Sequence, residues 1–266
     1  MPMNSAQVKS CLLFAGLNAQ GNTRITERVN TRNHSELMIK EMGGKIFTNN
    51  TEILVEKSQL KGIETFIPGD ISSAAFLIAA ALITPKSEIL IEDVGLNKTR
   101  IEFINILKKM GAKIDVYADE KRQLEPIGKI KALTSNLKGI MIDDVSEIID
   151  EVPIISVLAA FADGITEIRN AKELRVKESD RIISVINNLR AMNIKVEEYN
   201  DGMLIHGNPD NIFNCEFESY HDHRIAMAFS CAALWSEKAS IVNHIDCIST
   251  SFPNFSEYFK GNIDKI

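Results

Sequence analysis

The sequence predicts an α/β (α+β) fold assembled from one repeated module, with helices inside and sheets outside. Three observations lead there. One order of elements recurs four times along the chain, the helices that lead the later copies are rich in Ala and apolar on most sides, and a short strand follows each of them. A helix that is apolar all round belongs in a core, which leaves the strands to form the outer layer.

In the first copy residues 8–17 form the apolar helix and 23–27 the strand. Thr31-Arg32 is the junction, and 35–42 form an amphipathic helix that stops at Gly43-Gly44 before a strand over 45–48. The second copy runs through a helix over 74–83, a strand over 88–92, Thr99-Arg100, a helix over 102–110, Gly111 and a strand over 113–117. The third has a helix over 154–162, Gly164, a strand over 166–169, Ser179-Asp180-Arg181, a helix over 182–192 and a strand over 195–198. Asp201-Gly202 is the expected hairpin turn before a strand over 203–206. The fourth has a helix over 225–235, a strand over 240–243, Thr250-Ser251 and a short closing helix over 254–259. Thr31, Thr99 and Ser179 or Asp180 stand where a side-chain oxygen can cap the next helix, and a Gly beyond a helix can take positive φ. For Thr99-Arg100 two readings stand, a cap alone or part of a site.

Pro68-Gly69-Asp70, after the polar stretch 56–64, marks a domain boundary because Pro-Gly punctuates chains. Residues 1–65 are then expected to be the last unit of a first domain whose earlier part lies outside this sequence, and 66–266 a second domain of three units.

Bulk properties narrow the partners. At 266 residues, 45% apolar and 25% charged, the composition is that of a globular protein. A net charge of -6 without a Lys/Arg-dense run argues against nucleic-acid or anionic-membrane surfaces, which are held by clustered positive charge. Cys11, Cys215, Cys231 and Cys247 are far apart, with no Cys-x-x-Cys pair, as expected of a reduced cytosolic protein. The longest apolar run, 74–83, is about half of a membrane span of roughly 20 residues.

Four segments hold residues suited to chemistry. Arg175-Val176-Lys177-Glu178-Ser179-Asp180-Arg181 precedes an amphipathic helix and reads either as a solvated helix start laced with ion pairs or as an anion site, where Arg presents a two-pronged fork beside free amides. Cations there oppose the helix dipole, which favours the anion site. Tyr220-His221-Asp222-His223-Arg224 opens the fourth module: two His around an Asp suggest a metal ligand set, but no further ligand stands nearby at a typical metal spacing, so Arg224 reads as a second anion clamp and His223 as a structural or hydrogen-bonding histidine. Asp150 precedes an almost wholly apolar helix and reads either as its cap or as a general base whose proton affinity is raised by burial. Ser5-Ala6-Gln7 offers neutral hydrogen-bonding groups at a helix start.

Ser5-Ala6-Gln7-Val8-Lys9-Ser10, Thr31-Arg32-Asn33-His34, Pro68-Gly69-Asp70-Ile71-Ser72-Ser73-Ala74, the run from Leu174 to Arg181 and that from His221 to Arg224 together resemble the EPSP synthases (3-phosphoshikimate 1-carboxyvinyltransferases), from Ser5 to about Tyr258. The resemblance implies an inside-out α/β barrel of repeated βαβαββ units, as in the enolpyruvyl transferases, closing over shikimate 3-phosphate and phosphoenolpyruvate. It implies that Ser5, Ala6, Gln7, Arg32, Asp150 and Lys177 hold shikimate 3-phosphate and that Arg181 and Arg224 clamp phosphoenolpyruvate. Asp150 would take the proton of the 5-hydroxyl and Glu178 would transfer one at the methylene carbon. No metal or organic cofactor is implied. The chain departs from the family at Thr250, where members carrying a Lys near the C-terminus have it, and at Glu173, where some have Asn. The family's N-terminal phosphate motif has no counterpart here, so a separate N-terminal segment is a candidate partner. The rival readings are one half of a split enzyme, a non-catalytic remnant and, among enzymes, a UDP-N-acetylglucosamine enolpyruvyl transferase.

Overall fold

A computed structural model describes residues 1, 5–119, 125–236 and 238–259. The chain divides into two compact units: Met1–Pro68 with Gly95–Arg100 and Ala118–Ile127, and Gly69–Val94 with Ile101–Tyr117 and Gly128–Ile266. The sequence boundary at 65/66 makes no provision for the two later segments that belong to the first unit.

The first unit carries one module: α1 (Ala6–Asn18), β1 (Asn22–Thr26), α2 (His34–Glu41), β2 (Ile46–Asn49) and β3 (Glu52–Glu56). β3 lies between the other two strands and is antiparallel to both. Its alternation, with Ile53 and Val55 buried between half-buried and exposed neighbours, is that of a strand with one covered face. Leu13, Leu17, Ile25, Ile39, Ile46, Ile53 and Val55 form the core of this unit.

The next module contains α3 (Ile71–Ile83), β4 (Glu88–Gly95), α4 (Glu102–Lys109), β5 (Lys113–Asp119) and β6 (Ile127–Leu133). The third contains β7 (Met141–Ile142), α5 (Val152–Ala160), β8 (Ile165–Ile168), α6 (Arg181–Ala191), β9 (Val196–Tyr199) and β10 (Gly202–His206). The fourth contains β11 (Glu216–Glu218), α7 (His223–Ala233) and β12 (Ile241–Asn243), then 3-10 helices over Ile245–Thr250 and Phe255–Phe259. The sheet orders β4-β6-β5 and β8-β10-β9 repeat the order β1-β3-β2, the last strand always in the middle. A parallel partner stands at the start of the later modules: the Gly69 bridge to Val94, β7 beside β8, and β11 beside β12.

The expected elements are present, and four strands are added that the hydrophobic pattern did not reveal. β7 and β11 are two and three residues long, too short for a period to register. β3 and β6 are the returning strands of their modules. In the second unit α3, α5 and α7 pack on one another. Every residue of α5 and every residue of α3 but Ser73 is buried, so this unit has its helices inside. Among the described residues no helix is long and apolar enough to cross a membrane.

Local expectations are corrected in two places. Neither Thr31 nor Thr99 holds the cap position: the Thr31 hydroxyl donates to Glu27 at 2.6 Å and that of Thr99 to Asn97 at 2.8 Å, while Asn33 and Ile101 stand at the N-caps of α2 and α4 and make no side-chain cap bond. The β9–β10 turn is Asn200-Asp201, one residue earlier than expected, because Tyr199 pairs with Gly202. Gly202 is required for contact rather than for the turn, since a Cβ there would lie 1.9 Å from the Ile168 carbonyl oxygen.

Candidate active site

Four helix starts of the second unit are tied together by side chains. Each start leaves backbone amides unpaired and carries the positive end of its dipole. Asp70 caps α3 through the Ser72 amide at 3.3 Å, Asp180 caps α6 through Ile183 at 3.1 Å, and Asp222 caps α7 through Arg224 at 2.9 Å. The Ser72 hydroxyl donates to Glu151, the residue before α5, and so joins α3 to α5. The Ser179 hydroxyl donates to Asp222 at 3.1 Å, joining α6 to α7.

Arg181 is at the centre of this arrangement. It is the first residue of α6 and 1% exposed. Nε donates to Asp222 at 2.8 Å, Nη2 to Asp222 at 3.3 Å and to Glu178 at 2.7 Å, and Nη1 lies 3.5 Å from the Asp150 carboxylate. Burial opposes the guanidinium charge, but the Asp222 bond and the charges of Asp222, Glu178 and Asp150 outweigh it and raise the pKa of Arg181. Burial likewise pushes the Asp222 carboxyl up, and the Arg181 bond and charge, the Arg224 amide and the Ser179 hydroxyl together bring it below its ordinary value. Nη1 nevertheless has no hydrogen-bond partner among the described residues, although it is buried. A buried charged donor left unsatisfied is costly, and an anionic acceptor would satisfy it.

The structure therefore brings Asp150, Glu178 and Arg181 together. Asp150 is not the cap of α5, because Glu151 holds that position and makes no side-chain cap bond. Glu178 is half exposed, so it covers Arg181 from the solvent side. Arg224 is the second residue of α7, its amide held by Asp222, and the pKa of His223 is lowered by burial and by the Arg224 charge. Lys177 is turned to Glu173, with which it forms an ion pair. Arg175 is bound to Asp180 at 3.0 Å and Glu198 at 2.8 Å and fastens the approach to α6 onto the β9 strand.

In the first unit the starts of α1 and α2 are side by side. Ser5 caps α1 through the Val8 amide at 3.3 Å, and its hydroxyl donates to Gln7 at 3.2 Å. Ala6 is the first residue of α1, and Arg32 is half-buried just before α2. The Ser10 and Ser35 hydroxyls are 2.6 Å apart. Lys9, 1% exposed, pairs with Glu27 at 3.1 Å and Glu36 at 2.7 Å and donates to the Thr31 carbonyl at 3.3 Å, holding the loop that carries Arg32.

Residues 1–259 match the sequence profile of EPSP synthase (3-phosphoshikimate 1-carboxyvinyltransferase). The chain belongs to the EPSP synthase family. The 3-phosphoshikimate 1-carboxyvinyltransferase of Alkaliphilus oremlandii is 44% identical over 263 residues, which are 98% of this chain and 61% of that relative. That of Caldicellulosiruptor saccharolyticus is 47% identical over 272 residues, 100% of this chain and 63% of the relative. The solved EPSP synthase of Acinetobacter baumannii superposes with a TM-score of 0.90 at 42% identity, covering 96% of this chain and 60% of that one. The enolpyruvyl transferase NikO of Streptomyces tendae, at 17% identity and a TM-score of 0.75, shares the fold. This EPSP synthase family member thus spans about three fifths of the length of its relatives.

Two residues of the site were not singled out in the sequence of this family member. Asp222 stands within a mixed His-Asp-His run that masks it, yet an Asp directly before an apolar helix is the signature of a cap. Lys9 is the sole charged residue of α1, and a lone charge in an apolar helix signals a buried pair.

Proposed function

We propose that the chain takes part in transferring the carboxyvinyl group of phosphoenolpyruvate to the 5-hydroxyl of shikimate 3-phosphate, with release of phosphate, in the cytosol. The buried Arg181 Nη1 carries this reading together with family membership, for where the starts of α5, α6 and α7 meet it is a charged donor with no hydrogen-bond partner among the described residues and with the Asp150 carboxylate 3.5 Å away. Arg181 and Arg224 hold the phosphoenolpyruvate. Ser5, Ala6, Gln7, Arg32, Asp150 and Lys177 hold the shikimate 3-phosphate. Asp150 accepts the 5-hydroxyl proton as that oxygen bonds to C2 of phosphoenolpyruvate, while Glu178 gives a proton to C3. The tetrahedral intermediate then returns a proton from C3 to Glu178 as its C2–O bond to phosphate breaks, and the departing phosphate takes up the proton held by Asp150. Because Glu178 occupies Arg181 Nη2, the incoming anion has to displace it, which its exposure permits. A separate segment supplies further cations.

The test is phosphate release from the two substrates by the chain, alone and with the unmatched two fifths of the Alkaliphilus relative added as a separate polypeptide. Release on complementation is expected. In the active mixture Glu178→Gln should lower kcat by about 10²-fold or more, the typical contribution of a positioned acid, while the KM for phosphoenolpyruvate falls. No release in either mixture, with the chain folded, favours a second reading: a non-catalytic part that binds without turnover.

A further inference from the structure

Where the β11–β12 pair ends, with Glu218 opposite Asn243, both chains turn left-handed. Tyr220, His221 and His244 have φ of 54°, 56° and 56°. A residue with a Cβ takes this conformation at a cost, a bulky one such as Tyr above all, and two in succession persist only where the surroundings hold them. Asp222 follows directly, and it both caps α7 and binds Arg181.

The holding groups meet at His244. Glu218 Oε1 accepts the Tyr220 amide at 3.1 Å and lies 2.9 Å from His244 Nδ1. A carboxylate only accepts, so Nδ1 carries the proton. Burial pushes the Glu218 carboxyl up, but the His244 bond, the Tyr220 amide and the charges of His244 and His221 bring it below its ordinary value. The fully buried Ser219 hydroxyl accepts the His221 amide at 3.1 Å and donates to the His244 carbonyl at 2.9 Å. The His221 and His244 rings lie side by side, their centroids 4.7 Å apart. His244 thus reaches each amide of the left-handed pair through one intervening side chain. We infer that His244 is a positioning residue: latched to Glu218 and Ser219, it keeps Tyr220 and His221 left-handed and so sets Asp222 against Arg181. What this does for a substrate rests on the reading of Arg181 as the phosphoenolpyruvate clamp; the latch itself does not.

The test follows, by NMR of the isotopically labelled chain, exchange of the Arg181 Nε proton that bonds Asp222 at 2.8 Å, with the buried amides of α5 as reference. His244→Ala should speed the Arg181 exchange at least about tenfold and leave α5 unchanged, as for a local opening. His244→Asn, which tolerates positive φ and carries a donor equally far along the side chain, should keep the parent rate. Adding His221→Gly to His244→Ala should restore most of the protection, because Gly takes positive φ freely. Should His244→Ala not fold, Glu218→Ala, at a partly exposed residue, takes its place with the same expectation. An unchanged Arg181 rate, equal acceleration in α5, or no recovery with His221→Gly overturns the inference. Titration with phosphoenolpyruvate should show about tenfold weaker binding in His244→Ala, recovered in the same double variant. A parent chain that shows the expected exchange pattern and binds no phosphoenolpyruvate counts against the reading of Arg181 and leaves the latch standing.

Discussion

At the residue scale, the second unit turns on one buried ion pair. Arg181 and Asp222 are 41 positions apart and both nearly fully buried, so each leaves the other uncompensated if removed. Asp222→Asn should cost about 3 kcal/mol, the range for breaking a buried pair from one side, read from urea unfolding. Its pH dependence follows from the lowered carboxyl pKa. The pair contributes fully above the ordinary Asp range and is lost as pH falls through the folded-state value. The variant's stability should accordingly fall less steeply than the parent's on acidification, and an identical acid limb would count against this assignment. Arg181 and Glu178 stood out in sequence because they share one polar run before a helix. Asp222 and Asp150 are brought to Arg181 only by tertiary packing.

At the element scale, the strand order shared by three sheets imposes close contacts that no pattern of polarity reveals. Gly202 lies under β8, where a Cβ would meet backbone atoms of Ile168 that no rotamer change can move. Gly202→Ala should lose about 1–3 kcal/mol, the usual cost of overpacking, whereas Gly62→Ala, with open space around it, should lose none. Equal urea midpoints for the two variants would refute the contact. Helices α3, α5 and α7 were legible because long apolar runs leave little ambiguity. The caps were less so: Asp180 does cap α6, but Thr31 and Thr99 have acceptors closer at hand in Glu27 and Asn97.

At the scale of the whole molecule, two units with unequal cores should differ in local stability. α5 is buried along its whole length, whereas α1 shows most of its circumference to water. Native-state hydrogen exchange should find the amides of α1 to β3 opening at lower urea than those of α5, and opening at one common concentration would show a single cooperative unit. The sequence alone determined the order of the helices and of most strands, the fourfold repeat and the family motifs, because periodicity, Gly and Pro punctuation and contiguous runs are local properties. The meeting of the α5, α6 and α7 starts around Arg181, the choice of carboxylates that hold it and the bare face of α1 were decided only by the tertiary structure. They depend on how distant helices pack, and packing is set by shape and burial across tens of residues rather than by neighbours along the chain.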